Sequence, residues 1–230
     1  MIIVISIVTM LVSWLVSQRL KSKFNQYSQI GLASGISGKE AAEKMLRDHG
    51  ITDVQVLSVE GRLTDHYNPM DKTVNLSHDV YNGRNAAAVA VAAHECGHAV
   101  QHATAYSMLT LRSKLVPIQN VSANILNMLM IGLMFGGMFL MGATSLPYIL
   151  LVIIGCNLVL TLFALITLPV EFDASRRALA WLDGKRIVTS QEHSMSKDAL
   201  WWAAMTYVVV AIGSLAQLLY YVAIFLGRRD

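Results

Sequence analysis

Four stretches of this chain are apolar enough to be read as membrane-spanning helices, and this limits its fold more than any other feature. They cover residues 2–17, about 118–143, 147–168 and 203–225. A spanning helix needs about 20 mostly apolar residues, so the first is short and the other three are full length. Trp201 and Trp202 open the fourth, and Tyr220 and Tyr221 lie near its far end. Aromatics at both ends match the two interfacial belts of a bilayer. Composition agrees: 54% of the 230 residues are hydrophobic and 14% are charged, against about 25% charged in ordinary soluble domains. Intrinsic disorder and a plain soluble globule are both excluded. The first stretch has no basic residue ahead of it and no A-x-A site after it, so it reads as a retained signal anchor rather than a cleaved signal peptide.

The distribution of basic residues orients the chain. Of the 18 Lys and Arg, eleven lie in residues 18–117, five in 169–202, and two, Arg228 and Arg229, in the tail. The linker 142–146 has none. By the positive-inside rule both charged regions face the cytoplasm and the N-terminus lies outside, with the basic tail a tolerated exception. A net charge of +3 is too small to point to nucleic acid. Two cysteines, Cys96 and Cys156, form no disulfide framework.

Residues 18–117 and 169–202 suffice for one small water-facing α+β domain. Ser37 and Glu40 form a capping box for a helix ending near Gly50. Segments 53–60 and 62–66 read as strands around a Glu60–Gly61 turn, Asn68 to Asp71 as another turn, and 72–77 as a further strand. An alanine-rich helix is expected over 85–105.

That helix carries His94, Glu95, Cys96, Gly97 and His98, an H-E-x-x-H pattern. Residues four apart share one helix face, so two imidazoles so placed can chelate one tetrahedral zinc, with Glu95 beside it as a proton acceptor. His102 lies about 12 Å along the axis from His94, too far to join the same ion, and is expected to be a supporting, interfacial or exposed residue. Glu171 is the stronger third ligand. It follows the third span directly, and two spans separate it from the histidines, so the chain returns to the same side. Cys96 points to the opposite helix face and is expected to be an inert packing residue.

At these residues the sequence resembles the bacterial neutral zinc metallopeptidases of the YugP type, small four-span membrane proteins carrying His-Glu-Cys-Gly-His and Glu-Phe-Asp-Ala-Ser. It is more distantly similar to the heat-shock membrane protease and the prenyl-protein endopeptidase, which use H-E-x-x-H followed by E-x-x-A-D. The resemblance covers nearly the whole chain. It implies zinc ligands His94, His98 and Glu171, with Glu95 catalytic. Where the distant relatives have an aspartate, this chain has Ser175, which carries no charge to orient a zinc-bound histidine. Asp173 is close by on another face.

The expected fold is therefore a mainly α membrane protein with about four transmembrane helices and a small gluzincin-like α+β metallopeptidase domain, all of residues 1–230 forming one unit. The expected function is zinc-dependent endopeptidase action on protein or peptide substrates, membrane or membrane-proximal ones among them, from a multi-pass position in the bacterial plasma membrane with the catalytic side cytoplasmic. The alternatives are a non-catalytic scaffold with a structural zinc, and a zinc hydrolase of a non-peptide bond. Residues 73–77 could be an edge strand for an extended substrate. His66, Tyr67, His78, Tyr81, His193 and Tyr207 are all available as oxyanion donors, and the sequence does not choose among them. In the second span, Asn120, Asn124 and Asn127 form a polar stripe read as interhelical hydrogen bonding, Met128, Met130, Met134, Met138 and Met141 as filler, and Gly136–Gly137 as a point of close helix approach. The sequence leaves oligomeric state open.

Overall fold

A computed structural model describes residues 1–135 and 146–227. The part of the second span beyond residue 135, with Gly136, Gly137, Met138, Met141 and most of the uncharged linker, lies outside the described residues, as do Arg228 and Arg229.

The elements in chain order are α1 (Ile2–Ser28), α2 (Gly38–Asp48), β1 (Gln55–Val59), β2 (His66–Asn68), β3 (Thr73–Ser77), α3 (His78–Asn82), α4 (Ala86–Ala103), α5 (Ser107–Met134), α6 (Leu146–Gly184) and α7 (Ser190–Leu226). Helices α1, α5, α6 and α7 are long and apolar enough to cross a membrane. α6 and α7 each run well past their apolar stretch as polar helix. The continuation of α6 passes through Pro169 and carries Glu171.

The chain divides into two compact units. One comprises Met1–Ser13, Leu111–Leu168 and Tyr207–Asp230. Its surface is apolar: Ile3, Met10, Val121, Met128, Ile131, Leu162, Ile212 and Leu219 are all exposed. Only 6% of the apolar window of α1, and of α5, is buried. Such a surface needs lipid rather than water around it. Asn120, Asn124 and Asn127 lie exposed, and no interhelical hydrogen bond from them is seen among the described residues.

The other unit comprises Trp14–Thr110 and Pro169–Thr206. Its sheet has the order β1-β3-β2, with β1 parallel and β2 antiparallel to β3. β3 is the central strand and all five of its residues are buried. The expectation of an edge strand at 73–77 is thus corrected: β1 and β2 flank it, and the antiparallel edge belongs to β2. The expected strand at 62–66 is corrected too. Gly61 has φ +100° and Leu63 φ +59°, so the chain bends there and pairs only from His66. An extended strand cannot pass through left-handed φ values.

Local signals shape the rest of this unit. Ser37 and Glu40 form the full capping box of α2. The Asn85 side chain caps α4 by accepting the Ala88 N–H at 2.9 Å. Met45, Leu46, Val74, Leu76, Val80, Val89, Cys96 and Leu182 form a core around α4, which packs against α2 and the sheet. The first eight residues of α4 are all Ala or Val, and 14 of its 18 residues are buried. A helical stretch apolar on every face belongs in an interior.

Candidate metal centre

α4 brings His94, Glu95 and His98 into this interior, where polar side chains require partners. The partners come from α6, which approaches α4 closely because position 97 has no side chain. A Cβ on Gly97 would stand 2.6 Å from the Ala174 carbonyl oxygen and 3.1 Å from its Cα. The contact places Glu171, one turn before Ala174, against the two histidines.

Glu171 Oε2 lies 3.3 Å from His94 Nε2 and 3.6 Å from His98 Nε2. The ligating atoms of His94, His98 and Glu171 all lie within 4.8 Å of one another. The two imidazole rings meet edge to face at 4.8 Å between centroids. Glu171 and His98 are buried.

Hydrogen bonds behind the rings settle what the nitrogens present. Gln101 Nε2 donates to the Val170 carbonyl at 2.8 Å and to Asp173 Oδ2 at 3.0 Å. Its Oε1 is therefore turned to His98 Nδ1, 3.0 Å away. An amide oxygen only accepts, so Nδ1 carries the hydrogen and Nε2 offers a lone pair to the cluster. Ser175 Oγ lies 3.1 Å from His94 Nδ1 and can hold that ring in the same sense. Asp173 is itself fixed by Arg176 and by Arg177 Nε at 2.5 Å.

His98 Nε2 thus presents a lone pair, and His94 Nε2 can present one, to a carboxylate oxygen that is buried and receives no hydrogen bond. Such an orphan is costly unless a cation lies among these atoms. Ligands about 2.0–2.1 Å from a tetrahedral zinc stand about 3.4 Å apart, close to the 3.3 and 3.6 Å observed. The residues fit a metal ion. The electrostatics of His98 agree. Burial, the largest influence, disfavours its imidazolium, but the closeness of Glu171 and the charges of Glu95 and Glu171 outweigh it and raise its pKa. The same negative field favours a divalent cation.

Glu95 lies beside the cluster without joining it. Its Oε2 accepts the backbone N–H of Tyr67, on edge strand β2, at 3.0 Å. The Tyr67 hydroxyl meets His102 Nδ1 at 2.8 Å, so His102 acts on β2 and not on the metal cluster. Cys96 points away, its Sγ 3.6 Å from the Ala42 carbonyl, and full burial pushes its thiol pKa far up. Among the described residues, only His94, His98 and Glu171 form a cluster of metal-ligating type.

The sequence reading missed Gln101 and the Tyr67 amide. A polar residue three positions after His98, on the same helix face, was a signal for the first. Nothing local signalled the second, which depends on the path of β2.

Comparison with known proteins agrees with this geometry. Residues 2–226, nearly the whole chain, match the family described as "Putative neutral zinc metallopeptidase". The chain belongs to this neutral zinc metallopeptidase family. It is also 41% identical over 216 residues to "Putative membrane protease YugP" of Bacillus subtilis (strain 168), covering 92% of this chain and 91% of that protein. No solved structure matches the chain. Family membership bears on the metal: the family is named for zinc, and the cluster here offers two nitrogens and one oxygen, a donor set that suits zinc.

Proposed function

We propose that this protein is a membrane-anchored zinc endopeptidase in which His94, His98 and Glu171 hold the metal and Glu95 moves the proton. The observation that carries this reading is the convergence of two oriented imidazoles on an orphaned, buried carboxylate, with a second carboxylate, Glu95, alongside. Three protein ligands leave one position open for chemistry, whereas a structural zinc site closes with four. The absence of a fourth ligating residue from the cluster among the described residues argues against a scaffold role.

Bound zinc would supply Lewis acidity, which acidifies water and polarises a carbonyl. The chain's own groups do the rest. Glu95 accepts the proton of the attacking water and passes it to the departing amine. The Tyr67 N–H holds one oxygen of Glu95, leaving the other to handle the proton. Gln101 and Ser175 keep the imidazoles turned toward the cluster. The edge of β2 lies next to Glu95 and is suited to align an extended peptide by main-chain hydrogen bonds.

The whole chain acts as one gluzincin-like metallopeptidase, its site built from residues 18–117 and 169–202. Membrane or membrane-proximal proteins are its substrates. The concentration of Lys and Arg in those two segments supports a multi-pass position in the bacterial plasma membrane with the site on the cytoplasmic side.

The test pairs metal analysis with two variants of the detergent-purified protein. Glu95→Gln is expected to keep zinc and lose cleavage of an unfolded protein. Glu171→Ala is expected to lose zinc. Normal zinc in Glu171→Ala would refute the ligand set, and normal cleavage by Glu95→Gln would refute the mechanism.

A further inference from the structure

A groove of about 400 Å³ lies between α6 and α7, and its lining includes Ser175, whose Oγ touches His94. Its walls are two helical stripes: Phe172, Ser175, Arg176, Leu179, Ala180 and Asp183 on α6, and His193, Lys197, Leu200, Trp201 and Ala204 on α7. Residues at spacings of three and four share a helix face, so the stripes line one channel about 16 Å long.

The two ends of the groove differ. Phe172 and Trp201 meet at one end, with ring centroids 6.4 Å apart. Phe172 lies four residues past the apolar stretch of α6, and Trp201 two residues before that of α7. This is the depth at which aromatic side chains mark the bilayer interface. Leu179, Leu200 and Ala204 continue the apolar floor. Midway stand Arg176, which pairs with Asp173 through Nη2 yet keeps its side chain 77% exposed, and Lys197, also exposed. Lys197 makes no ion pair among the described residues, and His193 brings a further basic group toward the water end, where Asp183 is the single acid of the lining.

We propose that this groove binds an anionic phospholipid, its phosphate between Arg176 and Lys197 and its acyl-proximal carbons against Phe172, Leu200 and Trp201. The occupant must be apolar along one part and anionic at another, and it must reach interfacial depth. A membrane lipid meets all three demands, and a soluble acidic peptide meets only the second. The proposal uses none of the metal ligands, although Ser175 and Arg176 also belong to the hydrogen bonds behind the imidazoles.

Native mass spectrometry of the detergent-purified full chain tests it, with phosphatidylglycerol or phosphatidylcholine titrated in. The wild type is expected to retain one phosphatidylglycerol and to prefer it over phosphatidylcholine. Lys197→Gln should weaken retention about fivefold, the worth of one juxtamembrane basic residue. Ala180→Trp, which fills the groove from an exposed position without changing charge, should weaken it as much or more. Lys44→Gln, on α2 and away from the groove, should leave it unchanged. Equal retention of the two lipids would overturn the proposal. So would equal weakening by Lys44→Gln and Lys197→Gln, which would mark a diffuse charge effect. Displacement of the lipid by glycerol phosphate or an acidic peptide at equal concentration would overturn it as well, since the apolar part of the groove would then contribute nothing.

Discussion

Replacing Gly97 with alanine probes how the fold builds the metal centre. The new Cβ would lie 2.6 Å from the Ala174 carbonyl oxygen and within 3.2 Å of two more backbone atoms of Ala174. Backbone atoms cannot turn aside as a flexible side chain can. To restore ordinary contact, α6 must retreat from α4 by about 0.8 Å, and overpacking of this kind costs about 1–3 kcal/mol. The retreat carries Glu171 away from His94 and His98 by a similar distance, while metal–ligand distances tolerate only about 0.2 Å. Zinc affinity should therefore fall on the order of 10–100-fold, and cleavage on the order of 100-fold. The assay is chelator competition for zinc, with helical content followed by circular dichroism to show that the chain remains folded. Gly155→Ala is the control, because a Cβ there meets nothing within 4 Å. Wild-type zinc affinity in a folded Gly97→Ala protein would refute the argument that this close approach sets the site.

Other expectations follow from the same geometry. Ser175→Ala and Gln101→Leu each remove the group that orients one imidazole, and chelator competition should show zinc affinity about 10–100-fold weaker in each. Cys96→Ala should keep zinc and cleavage, since the thiol faces Ala42 and burial holds it protonated; loss of metal would make the cysteine a ligand. Zinc retention should decline as pH falls, because protons compete for the nitrogens. The pKa of His98 is raised above 6.5, so the apparent zinc affinity from chelator competition should already be falling above pH 6.5 as the pH is lowered, and an affinity constant down to pH 6.5 would contradict the field ascribed to Glu95 and Glu171.

How far the site could be read from the sequence depended on the range of each signal. The His94–His98 pair was legible because helical spacing alone puts both rings on one face. Glu171 was legible because counting membrane crossings constrains long-range position without any knowledge of packing. The Ser37 capping box is local and appeared as expected. The bend at Leu63 was not legible: no sequence rule assigns a leucine a positive φ, and that one residue moved the expected strand from 62–66 to His66–Asn68. The choice between Ser175 and Asp173 needed the structure, and both turned out to serve. Ser175 touches His94 directly, and Asp173 reaches His98 only through Gln101.

X-ray absorption at the zinc edge of the purified protein tests the central claim most directly, because it identifies the atoms around the metal. Ligation by His94, His98 and Glu171 predicts only nitrogen and oxygen neighbours at about 2.0–2.2 Å, with the multiple-scattering pattern of two imidazoles. A sulfur neighbour at about 2.3 Å, or a spectrum with no imidazole, would contradict it.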